Sequence, residues 1–324
     1  MSIAALGQRR IVFFGGKGGV GKTTLAAAFA VSVSPPGART LLVSTDPAHS
    51  TADILETPLG DEPREIVDGL WALEIDPAAE ADRYIRDVKD RIARTTPPRL
   101  WDEVERQIDI ARVTPGAEEA ALGDRVARLL EDEGRGFQRV VFDTAPLGHT
   151  LRLLALPEQM GTWIRALIGR RKKLNALTRM WRNVAGAAAG DERPRDAVLD
   201  ALEERAARFA RTRAVMTNTA ETAFAFVLTP ERLPILETQR AVTVMHRYGI
   251  PVAAVIVNRV LPPEGGGAFV ERRRAREREY LAQIEATFDP ALLIRVRLQD
   301  ADVVGIPALR RLGAQFGARG PADR

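Results

Sequence analysis

Residues 16–24 read Gly16-Lys17-Gly18-Gly19-Val20-Gly21-Lys22-Thr23-Thr24. The apolar, β-prone run Ile11 to Phe14 precedes them, and the alanine-rich, helix-prone run Leu25 to Val33 follows them. A glycine-rich loop between a buried strand and a helix is typical of a phosphate-binding loop, because its backbone N–H groups can surround phosphate oxygens at the positive end of the helix. We therefore predict that residues 16–24 bind a nucleoside triphosphate; a glycine turn that binds nothing is the disfavoured alternative.

Two side chains of this loop carry the predicted phosphate and metal contacts. We expect Lys22 to reach the β- and γ-phosphates and the Thr23 hydroxyl to bind Mg²⁺. A slender ammonium fits beside a phosphate better than a forked guanidinium does, which explains a lysine here in a chain whose basic residues are mostly arginine.

Two aspartates follow apolar runs that we interpret as strands. Asp46 follows the run Thr40 to Ser44, and a carboxylate there can orient a water molecule on the γ-phosphate. We predict Asp46 as a catalytic residue, the alternative being an aspartate that caps a turn. Asp143 ends the run that starts at Val140, and an acid at that position of a phosphate-loop protein usually serves Mg²⁺ directly or through water, so we predict it as a metal ligand.

The alternation of strand-like and helix-like runs predicts an α/β fold. Because the strand-like runs are apolar on both faces, we expect a mostly parallel sheet flanked by helices, as in P-loop NTPases, with ligands at the carboxyl ends of the strands. The predicted strands are Ile11 to Phe14, Thr40 to Ser44, Trp71 to Ile75, Val140 to Asp143, Phe224 to Leu228 and Val252 to Asn258.

Two longer stretches, about 77–135 and about 149–211, fit no strand pattern and predict an α-helical insertion. We assign residues 1–76, 138–150 and 222–324 to the P-loop core, and residues 77–137 and 151–221 to the helical subdomain.

The loop and both aspartate-containing segments resemble one family. Lys17, a second lysine at the start of the loop, is similar to the signature lysine of the deviant P-loop ATPases. Three further segments resemble the switch I, switch II and adenine-side motifs of the arsenical-pump and tail-anchored-protein-targeting ATPases. They are Thr45-Asp46-Pro47-Ala48-His49-Ser50, Asp143-Thr144-Ala145-Pro146 with Gly148-His149-Thr150-Leu151-Arg152, and Asn258-Arg259-Val260-Leu261-Pro262.

This resemblance implies a Mg²⁺-dependent ATP hydrolase that works as a dimer of identical copies or of close paralogues. Lys17 would act as a catalytic residue on the partner's nucleotide, in place of an arginine finger, a charge worth about 10³ to 10⁵ in rate in related nucleotidases. Asn258 would pair with adenine through its amide. The helical subdomain would bind a protein client, such as a transmembrane segment.

The chain departs from the family in two places. Leu147 stands where the family usually has threonine in switch II, so one hydroxyl near the phosphate sensor is missing. The chain has no cysteine, which excludes disulfides, the zinc clamp of the targeting members and the metalloid site of arsenite-responsive members. We therefore expect no zinc. We interpret His49 and His149 as structural hydrogen-bonding residues rather than as catalysts.

The helical insertion leaves alternatives open. Residues 163–184 combine two apolar stripes with seven basic side chains and no acid. This pattern fits a client groove, stripes packed within the subdomain with solvated arginines, or a surface for anionic lipid and transient membrane association. The basic residues are Arg165, Arg170, Arg171, Lys172, Lys173, Arg179 and Arg182.

Composition favours a cytoplasmic protein. The net charge is only +4, so the calculated pI of 9.7 is weak evidence for nucleic-acid binding. No secretory leader pattern and no apolar stretch of membrane-spanning length is visible.

A partitioning or division-site switch that acts on DNA or membrane is the alternative function. A nonhydrolysing subunit paired with an active paralogue is disfavoured by the presence of Lys17 and Asp46.

Overall fold

The computed structural model describes residues 6–46, 50–93, 117–131, 133–144 and 197–316, together with residues 101, 105, 106, 109, 168 and 169. Several sequence features lie outside the described residues. These are His49, most of the switch II string with Leu147, the apolar and basic residues of 163–184 apart from residues 168 and 169, and the end of the chain after residue 316.

An eight-stranded sheet forms the centre of the described part. Its strands lie in the order β3-β4-β2-β5-β1-β6-β7-β8, and every neighbouring pair is parallel except β3 with β4. The predicted α/β class with a mostly parallel sheet is therefore confirmed. The strands are β1 Ile11–Gly16, β2 Thr40–Ser44, β3 Arg64–Val67, β4 Leu70–Glu74, β5 Arg139–Asp143, β6 Thr222–Leu228, β7 Val252–Val260 and β8 Leu293–Arg297.

The two edge strands, β3 and β8, were not predicted from the sequence. β3 is exposed or half-buried along its length, and β8 is buried only at Val296 among its five residues. The central strand β1 is buried throughout. Phe13 stacks between Phe142 and Phe224 on the neighbouring strands, with ring centroids 4.6 and 4.5 Å away.

Helices connect the strands, as parallel neighbours require. Helix α1 follows the loop after β1 and is almost fully buried, with its side chains in the apolar cluster that includes Phe14, Phe29 and Leu309. The helices are α1 Lys22–Ser32, α2 Ser50–Leu55, α3 Pro77–Ala93, α4 Ala117–Glu131, α5 Ala197–Thr217, α6 Arg232–Arg247, α7 Ala268–Thr287 and α8 Gly305–Gln315.

The chain divides into two compact units. The sheet-bearing unit comprises Met1–Pro77, Asp132–Arg152 and Val215–Arg324, and the helical unit comprises Ala78–Glu131 and Leu153–Ala214. Residues 132–137 and 215–221, which the sequence analysis assigned to the helical subdomain, group with the sheet because they lead directly into β5 and β6. The client-binding role of the helical unit stays a prediction.

The helical unit contains charged side chains in its interior. Glu80 and Asp124 are 2% and 5% exposed, and both pair with Arg128. Arg208 on α5 also pairs with Asp124, at 3.1 Å. Among the described helices of the whole chain, none combines the length and the apolar character that a membrane span needs.

Candidate nucleotide-binding site

The carboxyl ends of four adjacent strands bring most of the predicted site residues together. Gly16 ends β1, Asp143 ends β5, and Glu74 ends β4, while Asp46 lies two residues beyond the end of β2. Residues at the carboxyl ends of parallel strands meet at one edge of the sheet, which is where ligands bind in folds of this class.

The loop after β1 has a backbone that requires glycine at two positions. At Gly21, φ is +92°, and a Cβ would lie 2.5 Å from Nδ2 of Asn258. At Gly16, a Cβ would lie 2.4 Å from the carbonyl oxygen of Val227, because β1 and β6 approach closely at their ends. The glycines therefore let the loop turn tightly into α1, whose first residue is Lys22.

Lys22 is nearly buried, with 4% of its surface exposed. Its ammonium donates a hydrogen bond to the carbonyl oxygen of Lys17 at 3.3 Å, so the side chain folds back over the loop. An ammonium held in this way over a concave backbone is positioned for phosphate oxygens, which are stronger acceptors than a neutral carbonyl.

Asp143 is fully buried, and neither of its carboxylate oxygens has a hydrogen bond of good geometry. Its pKa is raised to about 7, first because burial penalises the carboxylate and further because Asp46 and Glu74 carry like charges nearby. The Thr23 hydroxyl and the Lys22 ammonium act in the opposite direction. A buried carboxylate without a partner is an orphaned acceptor, and a divalent cation would satisfy it.

The Thr23 hydroxyl lies at the same point of the site. It accepts a hydrogen bond from the Ser50 hydroxyl at 3.3 Å, so the first residue of α2 contacts the first turn of α1. A hydroxyl and a buried acid are a donor set that suits Mg²⁺, which usually keeps waters and phosphate oxygens as its other ligands. No group of three or more His, Cys, Asp or Glu side chains that could hold a metal occurs within the described part of the chain.

Lys17 forms an ion pair within its own chain. Its ammonium lies 2.8 Å from a carboxylate oxygen of Glu237 on α6, and about a third of each side chain is exposed. The sequence analysis assigned no role to Glu237. Neither residue type nor local spacing could reveal this contact, because the two positions are 220 residues apart.

Glu74 is a second residue that the sequence analysis missed. It is 5% exposed, and one of its carboxylate oxygens accepts the backbone N–H groups of Thr51 and Ala52 at 2.9 and 3.0 Å. These amides belong to the first turn of α2, where N–H groups lack partners within the helix. Glu74 therefore fixes the start of the helix that follows the switch I segment. An acid ending the apolar run of β4 was the available signal.

Asn258 lies in β7 and contacts the loop after β1. Its amide Nδ2 donates a hydrogen bond to the carbonyl oxygen of Val20 at 2.8 Å. The structure thus brings Asn258 to the predicted phosphate loop; its contact with adenine stays a prediction.

Comparisons with known proteins show which proteins the sequence is similar to. The sequence matches the profile of the anion-transporting ATPases over residues 9–317. A candidate arsenical pump-driving ATPase of Aquifex aeolicus is 34% identical over 301 residues, 93% of this chain and 97% of the relative. ATPase GET3B of Arabidopsis thaliana is 33% identical, over 94% of this chain and 78% of the relative. An ASNA1 homologue from Entamoeba dispar, also an ATPase, is 30% identical, over 95% and 94% of the two chains.

Proposed function

This chain belongs to the anion-transporting ATPase family and is an ATP-hydrolysing P-loop enzyme, and we propose that it is a Mg²⁺-dependent dimer that uses ATP-driven closure to handle a protein client. The observation that carries the nucleotide part of the proposal is the unpaired, buried Asp143 carboxylate beside Thr23 and Lys22. In a protein without a cation to bind, such a group would be costly to keep.

The proposed roles follow from the placement of the side chains. The loop amides of residues 16–24 and the Lys22 ammonium bind the phosphates, and Thr23 and Asp143 hold Mg²⁺ directly or through water. When bound, Mg²⁺ would neutralise charge on the β- and γ-phosphates. Asp46 orients the attacking water, for which its half-buried position next to the acid of β5 is suitable.

We propose that Lys17 acts on the nucleotide of the partner subunit, a second copy or a close paralogue. Within one chain its ammonium is paired with Glu237, and a partly exposed ion pair of this kind is worth at most about 1 kcal/mol. The ammonium can therefore exchange this partner for the phosphates of a facing subunit at little cost, because a multiply charged phosphate group attracts it more strongly.

The client part of the proposal rests on the family resemblance and on the separate helical unit. A metalloid bound by thiolates is excluded as the client, since the chain has no cysteine.

A mixing experiment tests the enzyme and its dimer together. We expect the wild-type protein to hydrolyse ATP only with Mg²⁺, and Lys17→Ala and Asp46→Asn each to bind ATP with little turnover. In a mixed dimer, the Lys17→Ala subunit retains Asp46 and receives Lys17 from its partner, so one of the two sites is complete. Random pairing at equal concentrations should therefore restore about a quarter of wild-type activity.

The controls are each variant alone at twice the concentration. If Lys17 acts within its own chain, the mixture has no complete site and stays inactive, which would refute the action across the dimer. Wild-type protein that fails to bind Mg²⁺ with ATP would refute the proposed function as a whole.

A further inference from the structure

The amide of Asn258 is built into the floor of the phosphate loop. Asn258 is 8% exposed and Val20, which accepts its hydrogen bond, is 2% exposed. A Cβ on Gly21 would collide with the same amide nitrogen at 2.5 Å. The loop therefore follows its path with the Asn258 side chain packed directly against two of its consecutive residues.

The strand end that carries Asn258 is itself anchored by helix α7. Both carboxylate oxygens of Glu277 accept the backbone N–H of Leu261, at 3.1 and 3.2 Å. Arg274, one turn earlier on α7, donates to the carbonyl oxygens of Pro262 and Gly265 at 3.0 and 2.8 Å. These contacts fix the chain directly after β7, only three residues beyond Asn258.

The backbone between the two anchors is unusual. Arg259 has a φ of +59°, a left-handed conformation that an arginine adopts only when its surroundings impose it. Glu277 is 8% exposed, and burial raises its pKa. Glu277 therefore holds the backbone two residues beyond the strained Arg259, which indicates that α7 fixes the course of the chain after β7.

We propose that Asn258 is a positioning residue for the phosphate loop, and that Glu277 fixes the strand end from which it acts. This inference rests on the proposed function, since it assumes that the loop binds a triphosphate. This positioning role is separate from the predicted contact with adenine. An amide has two N–H groups and one oxygen, and the hydrogen bond to Val20 uses one N–H only, so the other atoms can still bind the base. Through this contact, a residue predicted to bind the adenine base also sets the conformation of the loop that binds the phosphates.

A ligand that has phosphates but no base distinguishes the loop-positioning role of Asn258 from its predicted contact with adenine. We would measure the Kd of inorganic tripolyphosphate and of ATP, both with Mg²⁺, by isothermal titration calorimetry. Asn258→Ala should weaken both ligands by a similar factor of about three to ten, the usual effect of losing one hydrogen bond. If only ATP binding falls and tripolyphosphate binding is unchanged, the amide serves the base alone and the proposal is wrong.

Glu277 provides a second, independent pair of variants at a distance from the ligand. Glu277→Ala should weaken tripolyphosphate binding in the same direction, whereas Glu277→Gln, which keeps an acceptor for the Leu261 N–H, should restore most of it. Equal affinity of Glu277→Ala and the wild type for tripolyphosphate would refute the anchor. This pair keeps the proposal testable if Asn258→Ala does not fold.

Asn218→Ala is the matched control. Asn218 lies in the turn before the amino end of β6, at the end of the sheet opposite to the site. Its side chain accepts the Ala220 N–H within that turn. It should bind both ligands as the wild type does. Wild-type protein that binds neither ligand would instead refute the proposed function, so the two failures are distinguishable.

Discussion

Substitution of Asp143 by asparagine should stabilise the nucleotide-free protein while impairing its use of Mg²⁺. An acid whose pKa is raised on folding binds more protons in the folded state than in the unfolded state. Its contribution to stability is therefore greatest at low pH and is lost as the pH rises from the unfolded pKa toward the folded one. For Asp143 that window runs from 3.8 to about 7.

The size of the effect follows from the same two values. The difference between 3.8 and about 7 corresponds to about 4 kcal/mol at a pH above the window, since each pKa unit is worth about 1.4 kcal/mol. About 2 kcal/mol of this falls between pH 5 and pH 7, and most of the remainder is lost below pH 5. Asparagine has nearly the shape of a protonated aspartic acid but cannot ionise, so Asp143→Asn does not lose this unfolding free energy as the pH rises.

Urea unfolding of both proteins at pH 5 and at pH 8, without nucleotide, is the assay. We expect Asp143→Asn to be more stable than the wild type by about 2 kcal/mol at pH 5 and by about 4 kcal/mol at pH 8. The comparison with the variant cancels the titration of other groups. Adding Mg²⁺ with ADP should then raise the wild-type midpoint more than that of the variant, because ligand binding stabilises by mass action. A variant that is no more stable than the wild type at pH 8 would show that Asp143 is not a strained, ionised group.

Two further predictions concern the acids to which no role was assigned from the sequence. Glu237→Gln removes the internal partner of Lys17 in both subunits of the variant dimer. ATP-dependent dimerisation, followed by analytical ultracentrifugation, should therefore require up to about thirtyfold less protein, the equivalent of about 1 kcal/mol per subunit. Weaker dimerisation would mean that Glu237 assists Lys17 instead of competing for it. Glu74→Ala leaves the amides of Thr51 and Ala52 without their acceptor and should lower the unfolding free energy by about 1 to 3 kcal/mol. Glu74→Gln keeps an acceptor and should lower the unfolding free energy much less. Equal losses of stability in both variants would mean that the charge of Glu74 matters rather than its hydrogen bonds.

The parts of the fold that could be predicted are those with a local signal. The buried strands β1, β2, β5 and β6 are continuous apolar runs, because both faces of an internal parallel strand are covered by helices. The edge strand β3 reads Arg64-Glu65-Ile66-Val67 and has one partner only, so it lacks such a run. An edge strand with charged residues resembles a loop in sequence, and charge is also what protects an edge from further pairing.

The same distinction applies to the site. The phosphate loop is nine consecutive residues, and its pattern of glycines and lysines encodes both its conformation and its ligand. The contacts of Lys17 with Glu237 and of Asn258 with Val20 join positions 220 and 238 residues apart. Sequence spacing carries no information on such pairs until the order of the strands is known, since it is the sheet that places β6 next to β1 and β7 next to β6.

The strand order also explains why the carboxylates of this site repel one another. Because β2 lies between β4 and β5, Glu74 and Asp143 both pair in register with Ser44, and neighbouring strands are about 4.8 Å apart. Asp46 follows Ser44 by two residues, so Asp46 and Glu74 both lie near enough to Asp143 for their like charges to raise its pKa. The free protein tolerates this because Asp143 can hold a proton near neutral pH and Glu74 accepts two N–H groups. A divalent cation at this edge would therefore replace a proton rather than fill a preformed dianionic site, and the strain in the free protein is what the bound nucleotide and its metal would relieve.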